Sequence, residues 1–202
     1  MIDIKYNLWG PIVAIQKVDT TFVKQEKEEG RKTYFKWNSN LAGEIEKEYL
    51  FTDVTFIDKG LRPYIDNYFE LIAPMFSRRH PIKRGKWELT SCWINYQKKG
   101  EYNPIHTHNY CDFSFVLYVD VPEEINKEVK NNKNVPNGAI TFHYGEKLPF
   151  NKCAHVHKPH TNEFILFPSW VNHSVEKFYS DVERVSMAGN IKITDEEFRR
   201  SL

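Results

Sequence analysis

Seven of the eight histidines in this 202-residue chain lie after residue 100. Two of them stand in His106-Thr107-His108, two positions apart. On a β-strand, residues i and i+2 point to the same side, so both imidazoles can reach one ion. A third, His173, lies far downstream in Pro168-Ser169-Trp170-Val171-Asn172-His173. Two ligands from one strand and one from a distant strand build a facial three-ligand site. Such a site leaves coordination positions open for substrate and O₂.

Two features compete for attention. Cys153, His155, His157 and His160 cluster within eight residues, and Cys and His are both good zinc ligands. This cluster precedes a strand-like run, where His155 and His157 would alternate on an edge strand facing water, and the structural reading is preferred. His143, in Thr141-Phe142-His143-Tyr144, reads as a core or rim histidine. The second feature is Arg184, which shares one face of a strand with Ser186, Ala188 and Asn190. A guanidinium and a hydroxyl pointing into a barrel are costly without an anion to meet. A carboxylate pairs with Arg in bidentate geometry, and Ser adds a further donor. The competing reading is an exposed Arg paired with Glu183 or Asp181.

The elements that must position these residues follow a clear order. Residues 11–18 read as a strand. Residues 40–50 read as a short helix with Asn40 as N-cap. Residues 60–76 carry Leu61, Tyr64, Ile65, Tyr68, Phe69, Ile72, Met75 and Phe76 at helical spacing, one broad apolar stripe that needs a flat apolar partner. From Lys86 onward short strand-like runs succeed one another: 86–97, 103–108, 112–121, 138–144, 153–158, 163–168, 172–178 and 183–193. Pro, Gly and Asn punctuate them. Segment 122–137 is polar and reads as a surface insertion, and Thr194-Asp195-Glu196-Glu197 reads as a capping box. Helices first and strands after predict a mainly β (α+β) fold: a double-stranded β-helix, or jelly roll of cupin-like type, with N-terminal helices packed on one sheet. The whole chain, 1–202, reads as one domain, with 1–85 as support, 86–193 as the jelly-roll core and 194–202 as a last helical turn.

Composition narrows the function classes. Lys and Arg number 28 against 27 Asp and Glu, so generic nucleic-acid or membrane affinity is not expected. No apolar run approaches the roughly 20 residues that span a bilayer, and Met1–Lys5 lacks the apolar core of a signal peptide. Cys92, Cys111 and Cys153 are widely spaced and odd in number, which points to a reducing cytoplasm. The stretch Lys24–Lys32 reads as a solvated loop, and Arg78-Arg79-His80 with Lys83-Arg84 as a basic helix terminus.

Across residues 86–193 the chain resembles the 2-oxoglutarate/Fe(II)-dependent oxygenase superfamily. The residues that carry the likeness are Trp93-Ile94-Asn95-Tyr96, Asn103-Pro104-Ile105-His106-Thr107-His108, Phe115–Val119, Gly138–Phe142, Phe167–Val175 and Arg184–Asn190. It looks closest to a compact prolyl-hydroxylase-like branch found in phage and marine bacteria, which would place it in a host cytoplasm if phage-encoded. The resemblance implies Fe(II), 2-oxoglutarate as co-substrate and O₂, and hydroxylation of a small-molecule or protein substrate with release of succinate and CO₂. It implies His106 and His173 as metal ligands. It also implies Arg184 and Ser186 on the far carboxylate of 2-oxoglutarate, with Tyr118 and Tyr96 lining that pocket. The family's usual third ligand is the carboxylate of a His-x-Asp or His-x-Glu motif. Here that position is His108. Either three histidines ligate the metal, or Asp112 curls back to supply the carboxylate while one histidine serves beside it. Three histidines are the preferred set. The alternatives are a cupin-type metal barrel that does not use 2-oxoglutarate, and a non-catalytic phage module. Substrate contacts and oligomeric state carry no readable signature.

Overall fold

The computed structural model describes residues 10–23, 35–76, 82–128 and 135–200, the side chains of 73–76 excepted. Met1–Lys5, Lys24–Lys32 and Arg78–His80 therefore lie outside the described residues.

The long amphipathic stripe forms α1, Thr55–Phe76. It begins five residues earlier than periodicity suggested, with the Asp53 carboxylate accepting the Thr55 N–H at 2.8 Å. Gly60 and Pro63, both poor helix formers, conceal the first turns from a sequence reading. Gly60 is where the helix admits a neighbour: a Cβ there would sit 2.7 Å from the Phe22 ring.

The described residues form eleven strands, in chain order β1 Ala14–Lys17, β2 Phe35–Lys36, β3 Glu48–Leu50, β4 Trp87–Lys98, β5 Asn103–His106, β6 Phe113–Asp120, β7 Ile140–His143, β8 Ala154–His157, β9 Glu163–Pro168, β10 Asn172–Val175 and β11 Glu183–Ile193. They form two antiparallel sheets. The larger has the order β1-β9-β6-β11-β4-β3-β2 and the smaller β5-β10-β7-β8. This two-sheet architecture is the expected jelly roll.

Strand alternation divides the large sheet into two faces. Ile94 and Tyr96 on β4, Leu117 on β6, and Val185 and Met187 on β11 join the core that contains Leu61, Ile65 and Phe69 of α1. The odd-numbered partners of β4 (Trp93, Asn95, Gln97) and the even-numbered residues of β11 (Arg184, Ser186, Ala188) line the space between the sheets. A second apolar cluster, with Tyr118, Ile140, Phe142, Ile165 and Phe167, joins the two sheets.

Residues 40–50 are not the helix their composition suggested. A 3₁₀ turn spans Asn38–Asn40, Glu44 bridges Tyr102, and Glu48–Leu50 pairs with β4 in the register Glu48↔Asn95 and Leu50↔Trp93. Sheet pairing overrides the helical propensity of this acidic stretch. The insertion at 122–137 contains α2, Glu123–Lys127, whose Ile125 is buried. The C-terminal helix α3, Glu196–Arg199, is capped by Asp195 rather than Thr194. The Asp195 carboxylate also accepts the Lys83 N–H at 2.9 Å, which ties the helix to the strand entry. Among the described residues, no helix is long and apolar enough to cross a membrane.

Candidate active site

His106 is the last residue of β5, and His173 faces it across the antiparallel pair with β10. Their ring centroids lie 4.2 Å apart. His108 sits beyond the strand end, where its backbone N–H donates to the Ser169 carbonyl at 3.0 Å. The strand therefore does not continue through the whole His-x-His motif; the Ser169 bond does the work that strand alternation was expected to do. The His108 ring stacks on His173 at 5.1 Å, and the Trp93 indole lies 5.9 Å away. One ligating nitrogen from each of the three falls within 4.8 Å of the others.

Backbone carbonyls set the tautomers. His106 Nδ1 lies 2.8 Å from the Pro104 oxygen, and His173 Nδ1 lies 2.9 Å from the Val171 oxygen. A carbonyl only accepts, so each Nδ1 carries the proton and each Nε2 keeps its lone pair. Burial, followed by mutual repulsion, holds His173 down at about 3 and His108 at about 4. His106 is lowered by burial too, with the Pro104 bond opposing. All three imidazoles are thus neutral near pH 7, the form that binds metal.

Asp112 takes no part in this cluster. Its carboxylate accepts the Ile193 N–H at 2.7 Å and pairs with Arg199 at 2.8 Å. These bonds hold it at the C-terminal end of β11 and α3, and it is not in the histidine group. Among the described residues, the group with metal-ligand geometry is His106, His108 and His173. The Cys153–His160 cluster does not gather: His157 Nε2 bonds the Glu163 carboxylate at 2.8 Å, and His160 donates its backbone N–H to the same carboxylate.

Arg184 opens into the same cavity as the histidines. It is 2% exposed and has no carboxylate partner among the described residues. Its Nη1 donates to the Gly138 carbonyl at 2.6 Å and its Nη2 to Gln97 Oε1, while Nε has no partner. Its guanidinium lies 5.4 Å from the centre of the Tyr118 ring. The Tyr118 hydroxyl is also buried without a partner, and burial pushes it up to about 12. Ser186 lines the cavity beside them. An unpaired buried cation with orphaned donors around it is a site built for an anion.

Tyr96 is a correction. Alternation on β4 turns it to the helix side, where it packs edge-on against Tyr49 at 6.1 Å. Its neighbours Asn95 and Gln97 line the cavity instead. The pattern Trp93-Ile94-Asn95-Tyr96-Gln97 contained that signal: apolar Ile94 and aromatic Tyr96 share one face, amide-bearing Asn95 and Gln97 the other.

The family model described as "Putative 2OG-Fe(II) oxygenase" matches residues 91–190, about half of the chain. The chain belongs to the 2-oxoglutarate/Fe(II)-dependent oxygenases. It is accordingly a 2-oxoglutarate-dependent dioxygenase whose cofactors are Fe(II), 2-oxoglutarate and O₂. Solved structures share its fold at low identity. A prolyl hydroxylase from Trichoplax adhaerens, in complex with a hypoxia inducible factor peptide fragment, is similar at 14% identity with a TM-score of 0.53, covering 93% of this chain and 86% of that one. A Pseudomonas putida prolyl-4-hydroxylase is similar at 15% identity with a TM-score of 0.52, covering 90% and 92%. A 2OG-Fe(II) oxygenase family oxidoreductase from Burkholderia pseudomallei gives 14% identity and a TM-score of 0.51 over 89% and 84%. Among curated protein sequences, no relative matches.

Proposed function

We propose that this enzyme holds Fe(II) with His106, His108 and His173 and hydroxylates its substrate while 2-oxoglutarate is decarboxylated to succinate. The observation that carries the reading is one cavity holding three neutral imidazoles and one unpaired, buried guanidinium. Arg184 binds the far carboxylate of 2-oxoglutarate through its free Nε, with the Tyr118 hydroxyl and Ser186 as further donors. When bound, iron and 2-oxoglutarate together activate O₂; one oxygen atom goes to succinate and one to the substrate. The protein's own part is ligation, orientation and dryness. Phe142 and Phe167 pack on His173, with ring centroids at 6.1 and 4.7 Å, and shield the centre from water.

The ligand set has a charge consequence. Three neutral histidines leave the full charge of the metal uncompensated, whereas a carboxylate ligand would cancel one unit. With iron held by His106, His108 and His173, an anionic chelating group would therefore be bound more strongly than beside a carboxylate ligand. The test is succinate formation from 2-oxoglutarate by Fe(II)-loaded protein in air, measured without added substrate. Slow, iron-dependent succinate release is expected. No succinate above the iron-free control would refute the reading.

A further inference from the structure

A buried acid lies outside the machinery described so far. Glu48, on β3, is 1% exposed, and among the described residues its Oε2 has no hydrogen-bond partner. It lines a cleft of about 540 Å³ that also includes Trp37, Trp93, Asn103, His106 and His108. The cleft thus opens onto two of the three histidines. Among the described residues, no Lys or Arg lines it.

Glu48 lies beside two amides, and among the described residues neither gives its Oε2 a hydrogen bond. Asn95, its cross-strand partner on β4, has a buried Oδ1 without a partner, and so does Asn103. Gly43 keeps room between them. A Cβ at that position would collide with Asn103 Oδ1 and lie 3.3 Å from Glu48 Oε1. Among the described residues, the Glu48 and Asn103 oxygens here lack a donor, and so does that of Asn95 across the strand pair. A proton on Glu48 supplies one donor and leaves the rest unmet. An ammonium supplies three and a guanidinium five. A positive charge also offsets the cost of burying the carboxylate, which a neutral ligand does not. Trp37 and Trp93 line the same cleft, and indoles attract cations.

We propose that the substrate of this enzyme carries an ammonium or guanidinium group, and that Glu48, with Asn103 beside it, binds that group in the cleft next to His106 and His108. The proposal rests on the oxygenase reading for its meaning, because it places the substrate's cationic end beside the metal. Burial holds the Glu48 carboxyl up at about 8, with Glu101 adding to the shift, so the free enzyme keeps this acid neutral near pH 7. A cationic ligand would ionise it on binding.

The test uses anaerobic protein loaded with Fe(II) and 2-oxoglutarate, and two matched pairs of probes. N-acetyl-lysine amide is compared with N-acetyl-norleucine amide, and N-acetyl-arginine amide with N-acetyl-citrulline amide, by calorimetry. At least one cationic member should bind saturably and about tenfold or more tighter than its neutral partner. Glu48→Gln should erase that preference. Equal binding within both pairs, no saturable binding of either cation, or a preference that survives Glu48→Gln overturns the proposal. If the Glu48→Gln protein does not fold, the paired comparison on the wild-type protein decides alone. Titration of 2-oxoglutarate precedes the probes. Failure at that first step counts against the oxygenase reading, whereas failure at the second counts against Glu48.

Discussion

At the scale of single residues, the account turns on which side chains are neutral, which are charged, and which lack partners. His173 is the most deeply set of the three proposed ligands, and its Nδ1 bond to Val171 fixes the nitrogen it presents. His173→Ala should lower Fe(II) affinity by roughly 100-fold or more, at least as much as loss of a residue that merely orients a ligand. His108→Asp should retain iron, because it restores the common carboxylate at that position. Metal titration of both variants checks this; equal loss in both would contradict it. Glu48 gives a pH prediction. Its folded pKa is raised to about 8 from an ordinary 4.5, so between those values the unfolded chain ionises Glu48 and the folded chain does not. Stability is therefore present below about pH 4.5 and is lost as pH rises toward 8. Thermal melts from pH 5 to 8 should show the wild type falling by a few °C relative to Glu48→Gln. Parallel curves for the two proteins would contradict it.

The histidines and Arg184 were legible at this scale because their types are rare inside a sheet and their order along the chain is distinctive. In the sequence Asp112 stands as a rival to the preferred His108, because the bend after β5 follows from a backbone bond to Ser169 on a remote segment. No local pattern carries that information. Asp112 was plausible by spacing, yet Arg199, at the far end of the chain, claims its carboxylate.

At the scale of elements, strand alternation decides what each residue can do. It carries Arg184, Ser186 and Ala188 into the cavity and Val185 and Met187 into the helix-side core. The strand reading of 86–193 was sound because apolar alternation and Pro, Gly and Asn breaks agree there. The reading of 40–50 failed because three residues of β3 gain their structure from β4, not from their own propensity. That error hid Glu48. Tyr96 was misplaced for a smaller reason: its strand was right and its face was wrong. Gly189 offers an elemental test. It lies on β11 opposite Cys92 and Phe115, and an added Cβ would approach the Phe115 ring at 2.6 Å and the Ser91 carbonyl at 2.8 Å. Gly189→Ala should therefore destabilise the fold by about 1–3 kcal/mol, read by denaturant unfolding. Unchanged stability would show that the β4-β11-β6 centre is looser than this packing implies.

At the scale of the whole molecule, the two sheets hold the proposed metal ligands and the proposed anion site on opposing walls of one cavity. β5 and the smaller sheet supply His106 and His173, and the larger sheet supplies Arg184, Ser186 and Tyr118. Neither sheet makes the centre alone, so co-substrate binding depends on their closure. α1 backs the larger sheet and keeps its outer face dry. The most direct measurement of this account is anaerobic titration of 2-oxoglutarate into wild-type and Arg184→Ala protein, each with and without Fe(II). The account predicts saturable binding that requires iron in the wild type and is weakened by roughly 100-fold in Arg184→Ala. Binding that is indifferent to both iron and Arg184 would contradict it.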